Sequence, residues 1–243
     1  MGISEDRMLM HKIDMNFSGV YQRRDRLSET TIGLSDLPGT NGYLSDEARD
    51  TIRETLRPFP AEGIHFLDSG NYHYATLFWL EKVDQPYQLV VFDHHTDMQP
   101  SAWGDDLISC GSWIKTALEQ DLRLQKVWLA GSREEAYLEG LKEKIQLLSE
   151  EDLSDPESAF CGLDAETLLY ISVDKDVLSK EEVDTNWDQG ELSADGLLNC
   201  LQYLVSHFDV IGVDVCGEPD PNAPDAEILK SEEIDRKIVS VLT

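Results

Sequence analysis

Basic residues are scarce: 20 Lys and Arg stand against 48 Asp and Glu in 243 residues, a formal net charge of −28, and the pI is near 4.3. Phosphate backbones and anionic lipids are normally held by Lys and Arg, so a chain this acidic repels both. Nucleic acid and membrane are therefore not expected among its partners. Long apolar runs are missing too, and none approaches the roughly 18 residues that suggest a membrane span. The opening from Met1 to Arg7 is acidic where a signal peptide is basic and then apolar, and Asp6 stands where a myristoylation motif needs Ser or Thr. Cysteine is sparse. Cys110, Cys161, Cys200 and Cys216 form no Cys-x-x-Cys pair, which argues against a zinc knuckle or a dense disulfide framework. A reduced, cytoplasmic setting is the expectation.

What is present is a chain of ordinary globular composition, 41% hydrophobic and 28% charged. Short apolar runs recur at Ile64–Leu67, Gln88–Phe92, Lys126–Ala130, Leu168–Val173 and Asp209–Val213. Each is about five residues long and rich in β-branched or aromatic side chains, as strands covered on both faces are. Between them lie stretches of helical spacing: Asp46 (as cap) through Arg57, Tyr72–Lys82, Leu107–Gln120, Ser193–His207 and Asp225–Leu242. The alternation predicts an α/β fold, a mostly parallel sheet between two helical layers. No internal repeat or Gly/Ser/Pro-rich linker interrupts it, so residues 1–243 are expected to form a single domain. Two regions fit less well. Met8–Tyr21 has strand character but leads into the polar, loop-like Arg23–Gly42, and the acidic Glu150–Glu157 reads as a solvated surface loop.

The chemistry gathers after two of the strands. Gln88–Phe92 runs into Asp93-His94-His95-Thr96-Asp97, and Leu168–Val173 runs into Asp174-Lys175-Asp176. If the extended conformation persists, alternation places Asp93, His95 and Asp97 on one side. The crevice beyond the carboxyl ends of parallel strands is where α/β folds bind ligands. Four aspartates meeting there would repel one another and raise each other's pKa unless a multivalent cation neutralised them. Carboxylate oxygen with imidazole nitrogen suits Mn²⁺ or a related divalent ion. A single Asp-x-Asp commonly caps a helix or fixes a turn, but two such clusters are harder to dismiss.

With these residues the sequence resembles the ureohydrolase family of arginase, agmatinase and formiminoglutamase, and the fold expected from the resemblance is arginase-like. The family's motifs are Gly-Gly-Asp-His-Ser, Asp-Ala-His-x-Asp and Ser-x-Asp-x-Asp, in that order. Here Gly70–Thr76 stands in the place of the first and keeps its Gly and His. Asp93–Asp97 matches the second, with His94 for Ala, and Ser172–Asp176 matches the third. Gly190–Ser193 and Val210–Asp214 look like the closing segments, so the resemblance runs from about Ile64 to Pro221 and leaves the first 60 residues unplaced. It implies two Mn²⁺ ions, other divalent ions being possible. One would be held by His73, Asp93, Asp97 and Asp174, the other by Asp93, His95, Asp174 and Asp176. A bridging hydroxide, aimed by Asp97, would then hydrolyse a non-peptide carbon–nitrogen bond of a guanidine, amidine or related small molecule. Family members are often oligomers, so a homo-oligomer is possible.

Two departures bear on the substrate. Cys110-Gly111 occupies the place of a His-Gly pair whose histidine is thought to shuttle protons in arginases, and a thiol, with a pKa near 8.5, is no simple replacement. Cys110 is either a small buried residue or a substrate contact. The family ends a strand with Asp-x-x-Glu and pairs the Glu with the substrate guanidinium. Asp214–Pro219 puts Gly217 at that position and Glu218 one residue late, so Glu218 either compensates through a bulge or is an ordinary loop acid. Two other functions stay open: a deacetylase-like amidohydrolase with a single ion, and a metal- or ligand-binding protein without catalysis. Of the remaining candidates, His94 is expected to point away from the ions, and His65 and His207 to be structural. Trp103 and Trp113 either wall a pocket or pack.

Overall fold

The computed structural model describes residues 11–100, 107–132 and 140–243; Trp103 lies outside them. In chain order the elements are β1 (Lys12–Asn16), β2 (Thr30–Gly33), β3 (Tyr43–Leu44), α1 (Asp46–Leu56), β4 (Gly63–Phe66), α2 (Thr76–Leu80), β5 (Tyr87–Phe92) and β6 (Ile108–Ser109). They continue with α3 (Trp113–Gln120), β7 (Leu124–Ala130), β8 (Ile145–Leu148), α4 (Pro156–Ala159), β9 (Leu168–Asp174), α5 (Ala194–His207), β10 (Val210–Cys216) and α6 (Asp225–Leu242). Eight strands form one sheet in the order β2-β1-β4-β10-β9-β5-β7-β8, and every neighbouring pair in it is parallel. β3 and β6 form a separate antiparallel pair. The expected α/β/α architecture is what the chain adopts.

The middle of the sheet is dry on both faces because its strands are apolar on both sides. All six residues of β5 and all seven of β10 are buried. One apolar layer packs α1, α2 and α3 against the sheet through Ile52, Trp79 and Trp113. The other packs α5 and α6 through Leu201, Leu204 and Ile238. Burying one such side chain contributes about 1.5–3 kcal/mol, so these two layers are the main source of the fold's stability. Helix ends follow local chemistry: Ser45 caps α1 by accepting from Ala48 N, and Ser193 caps α5 by accepting from Gly196 N. The α1 cap is thus Ser45, one residue before the expected Asp46.

Other sequence expectations need correction. Tyr72–Lys82 is not one helix: a 3₁₀ segment, Gly70–Ala75, precedes the short α2. Leu107–Gln120 divides into β6, a 3₁₀ turn at Cys110–Ser112 and α3. The polar Arg23–Gly42 contains β2, an edge strand that can keep polar residues on its open side. Glu150–Glu157 is largely exposed as expected, but it buries Leu153 and includes the 3₁₀ turn Asp152–Ser154 and the start of α4. Among the described residues no helix is long and apolar enough to cross a membrane.

Candidate metal centre

Four contiguous strands, β4, β10, β9 and β5, occupy the middle of the sheet, and the segments at their carboxyl ends bring the acidic and imidazole groups together. The strand conformation does not continue past Phe92; His94 and His95 lie in a bend, and Asp97 has a left-handed φ of 47°. Asp93, His95 and Asp97 are therefore gathered by a folded loop, not by strand alternation. His95 N donates to Asp93 Oδ1 at 2.6 Å, which closes that loop. After β9 the chain turns into a 3₁₀ segment, and Asp174 Oδ1 accepts from Asp176 N at 3.0 Å.

His73 enters from the 3₁₀ segment after β4. Its Nε2 lies 2.9 Å from Ser172 Oγ, which fixes the ring so that Nδ1 faces the acids. Nδ1 is 3.2 Å from Asp93 Oδ2, 3.1 Å from Asp97 Oδ2 and 3.6 Å from Asp174 Oδ2. It is nevertheless buried without a directed hydrogen bond. His95 Nδ1 lies 2.9 Å from Asp176 Oδ2 and 3.5 Å from Asp93 Oδ1. The two imidazoles thus approach different oxygens of Asp93. The ligand atoms of His73, Asp93 and Asp97 fall within 4.8 Å of one another, as do those of Asp93, His95 and Asp176.

Charge here is uncompensated. Four carboxylates face two imidazoles, so negative charge is in excess even with both rings protonated. Burial, Asp176 and Asp93 push the Asp174 carboxyl up to about 7. Burial and Asp93 push Asp176 up to about 6. Burial also raises Asp97, against the opposing pull of His73. Burial disfavours a charged His95, but its bonds to Asp176 and Asp93 outweigh that and lift it to about 11. His73 is likewise raised, its burial being outweighed by Cys216, Asp93 and Asp97. An unbonded buried imidazole nitrogen among crowded carboxylate oxygens is the donor set that a pair of divalent cations fits.

Asp93, His95, Asp97, Asp174 and Asp176 line a cavity of about 260 Å³, together with Gly70, Gln99, Cys110 and Trp187. A side chain at Gly70 would come within 2.8 Å of Asp174 Oδ2 and 2.9 Å of Trp187 Cδ1, so glycine keeps this wall open. Cys110 lines the cavity, its thiol pushed up to about 12 by burial and by Asp97. Trp113 does not line it: its buried Nε1 donates to Asp97 Oδ2 at 2.6 Å and holds that carboxylate in place.

Glu218 lies elsewhere, and both expectations for it, a substrate contact reached through a bulge and an ordinary loop acid, fail: it is buried and ion-paired. Its Oε1 is 2.8 Å from Arg24 and 3.0 Å from Lys175 Nζ, and its Oε2 accepts from Ser231 Oγ at 2.7 Å. It is buried and absent from the cavity lining. Burial pushes its carboxyl up, but Arg24 and Lys175 outweigh that and bring it down to about 2. The reason for the displacement is Gly217, at φ 85°, where a Cβ would lie 2.5 Å from Asp174 Oδ1. In this backbone no carboxylate can stand at position 217.

The other histidines take no part in the ligand groups. His94 offers its backbone N to Asp176 Oδ1 at 3.1 Å, His65 is bonded to Asp214 and Tyr170 under Trp79, and His207 is bonded to Tyr203 O near the end of α5. Two residues near the centre escaped the sequence. Trp187 stands 5.8 Å from the His95 ring, and Cys216 Sγ lies 3.1 Å from Asp174 Oδ2. Cys216 gave no signal in the sequence: only the register of β10 against β9 sets it opposite Asp174.

Comparison with known proteins agrees with this geometry. A relative from Thermotoga maritima, itself uncharacterised, is 34% identical over 232 residues, spanning 94% of this chain and 87% of its own. The crystal structure of Trypanosoma cruzi formiminoglutamase with Mn²⁺ superposes with a TM-score of 0.69 at 12% identity, covering 98% of this chain and 95% of that one. A hypothetical agmatinase from Burkholderia thailandensis gives 0.59 at 20% identity, with 79% of this chain matched to 62% of that longer one. The sequence profile of the arginase family matches residues 34–223, and the chain belongs to that family.

Proposed function

We propose that this protein is a binuclear manganese hydrolase that cleaves a non-peptide carbon–nitrogen bond in a small molecule. The observation that carries the reading is that Asp93, His95, Asp97, Asp174 and Asp176 line one small cavity, with the buried His73 Nδ1 3.1–3.6 Å from the Asp93, Asp97 and Asp174 carboxylates. One cation would lie with His73, Asp93, Asp97 and Asp174, the other with Asp93, His95, Asp174 and Asp176. When bound, two such ions supply an acidified water and Lewis-acid polarisation of a trigonal carbon.

The chain's own residues supply the rest. Ser172 fixes the His73 ring, and Trp113 fixes Asp97, whose carboxylate faces the cavity where it accepts a proton or a hydrogen bond from the attacking water. Trp187, Gln99 and Cys110 line the cavity and offer the substrate an aromatic face, an amide and a thiol. Because Glu218 is spent on Arg24 and Lys175, guanidinium pairing through that residue is not part of the reading, and the substrate class is drawn to include amidines and formimino compounds. The test is a panel of guanidino, amidino, formimino and acetamido compounds offered to the manganese-loaded protein, with release of ammonia, urea or formamide followed. Turnover abolished by Asp97→Asn supports the reading. Metal binding without turnover of any of the four classes contradicts it.

A further inference from the structure

A thiol stands among the metal-binding groups that the six acidic and imidazole residues do not account for. Cys216 is the last residue of β10, fully buried and in register with Asp174 at the end of β9. Its Sγ donates to Asp174 Oδ2 at 3.1 Å. The ligand atoms of His73, Asp174 and Cys216 all lie within 4.8 Å of one another. A second observation comes from the imidazole. His73 is 1% exposed, and its Nδ1 makes no directed hydrogen bond although Asp93 and Asp97 oxygens lie 3.2 and 3.1 Å away, while the ring's other nitrogen is taken by Ser172. That nitrogen therefore shares one buried space with carboxylate oxygens and with sulfur. Among the described residues nothing comparable holds around His95, whose ligand group is completed by Asp93 and Asp176.

We propose that Cys216 is a ligand of the cation on the His73 side, making that position a mixed nitrogen, oxygen and sulfur site. The proposal rests on the reading that the cluster holds cations. Thiolate shifts preference from Mn²⁺ towards zinc, cobalt and iron(II), whereas oxygen and nitrogen donors suit manganese. The two positions of this centre therefore differ in metal preference. On binding, the Sγ–H proton leaves to solvent and a sulfur–metal bond replaces the hydrogen bond to Asp174. Nothing is oxidised or reduced.

X-ray absorption at the zinc edge tests this on the full chain, stripped of metal and loaded with one equivalent of Zn²⁺. The expected spectrum contains one sulfur scatterer at about 2.3 Å. It is lost in Cys216→Ser and in Cys216→Ala, and retained in Cys110→Ser. In a competition between zinc and manganese, the ratio of zinc to manganese retained falls at least about tenfold in Cys216→Ser, the low end of what disturbing a metal ligand's surroundings costs. The parent spectrum decides even if neither Cys216 variant folds. Zinc bound by light scatterers only, or a sulfur that persists without Cys216, overturns the assignment and leaves the hydrolase reading standing. A parent chain that binds neither zinc nor manganese removes both.

Discussion

Two buried charge clusters meet at Asp174-Lys175-Asp176, and they are balanced in opposite ways. On one side Lys175 Nζ reaches Asp235 Oδ1 at 2.9 Å, Glu218 Oε1 at 3.0 Å and Ser231 Oγ at 2.6 Å. Arg24 joins the same Glu218 and Asp235 and lies over the Tyr21 ring, 4.2 Å from its centroid. Burial and the neighbouring Glu218 raise Asp235, a repulsion that the two cations oppose. Two cations answer two carboxylates. On the other side, among the described residues, Asp93, Asp97, Asp174 and Asp176 have only His73 and His95 to answer them. Burial of charge is common to both clusters, so it does not mark a functional site. The unanswered charge is what sets the candidate metal centre apart.

The comparison can be broken by experiment. The largest effect is expected in the balanced cluster: Arg24→Met strands a buried carboxylate and lowers stability by about 3–5 kcal/mol. Urea unfolding measures this, and added manganese does not selectively restore it. A loss below about 1 kcal/mol would mean that the cluster is not held together by this ion pair. In the unbalanced cluster the parent gains about 2.7 kcal/mol when manganese is present at a hundred times its dissociation constant, because the ion binds the folded state. Asp174→Asn forfeits that gain in a thermal melt.

Without metal the sign reverses. Asp174→Asn removes a crowded negative charge, so metal-free Asp174→Asn is more stable than the metal-free parent by on the order of 1–3 kcal/mol at pH 8. Asp174 and Asp176 have folded pKa values of about 7 and 6, above the ordinary 3.8. Their contribution is full below pH 4 and is lost as pH rises through 6 and 7. The advantage of Asp174→Asn should therefore grow between pH 4 and 7 and level off above. An advantage that shrinks over that range would show that these carboxyls are not crowded. The smallest effect belongs to Cys110→Ser, a cavity wall residue outside the ligand groups. It should shift stability by less than about 0.5 kcal/mol and leave the number of bound ions unchanged by elemental analysis.

The part of the fold that was legible in the sequence is its centre. The five apolar runs correspond to β4, β10, β9, β5 and β7, which are contiguous in the sheet, and each is apolar because both of its faces are covered. The less visible strands are β1, β2 and β8, at or next to the edges. There partial exposure admits residues such as Thr30, Thr31 and Gln146, which blur the pattern. Five of the six positions, Asp93, His95, Asp97, Asp174 and Asp176, are readable because they lie at or just beyond a central strand, whereas His73, in the 3₁₀ segment after β4, is given only by the resemblance to the family's first motif. What the sequence could not show was pairing at long range. Glu218 looked available until Arg24, 194 residues away, was seen to hold it. Cys216, one of four scattered cysteines in the sequence, is set beside Asp174 only by the register of β10 against β9.

Anomalous scattering at the manganese edge, from crystals of the full chain soaked in Mn²⁺, tests the central claim most directly. Two peaks are expected in each chain, one beside His73 Nδ1 and one beside His95 Nδ1, with Asp93 and Asp174 between them. A centre that takes up no ion, or a single ion held by neither histidine, would contradict the account.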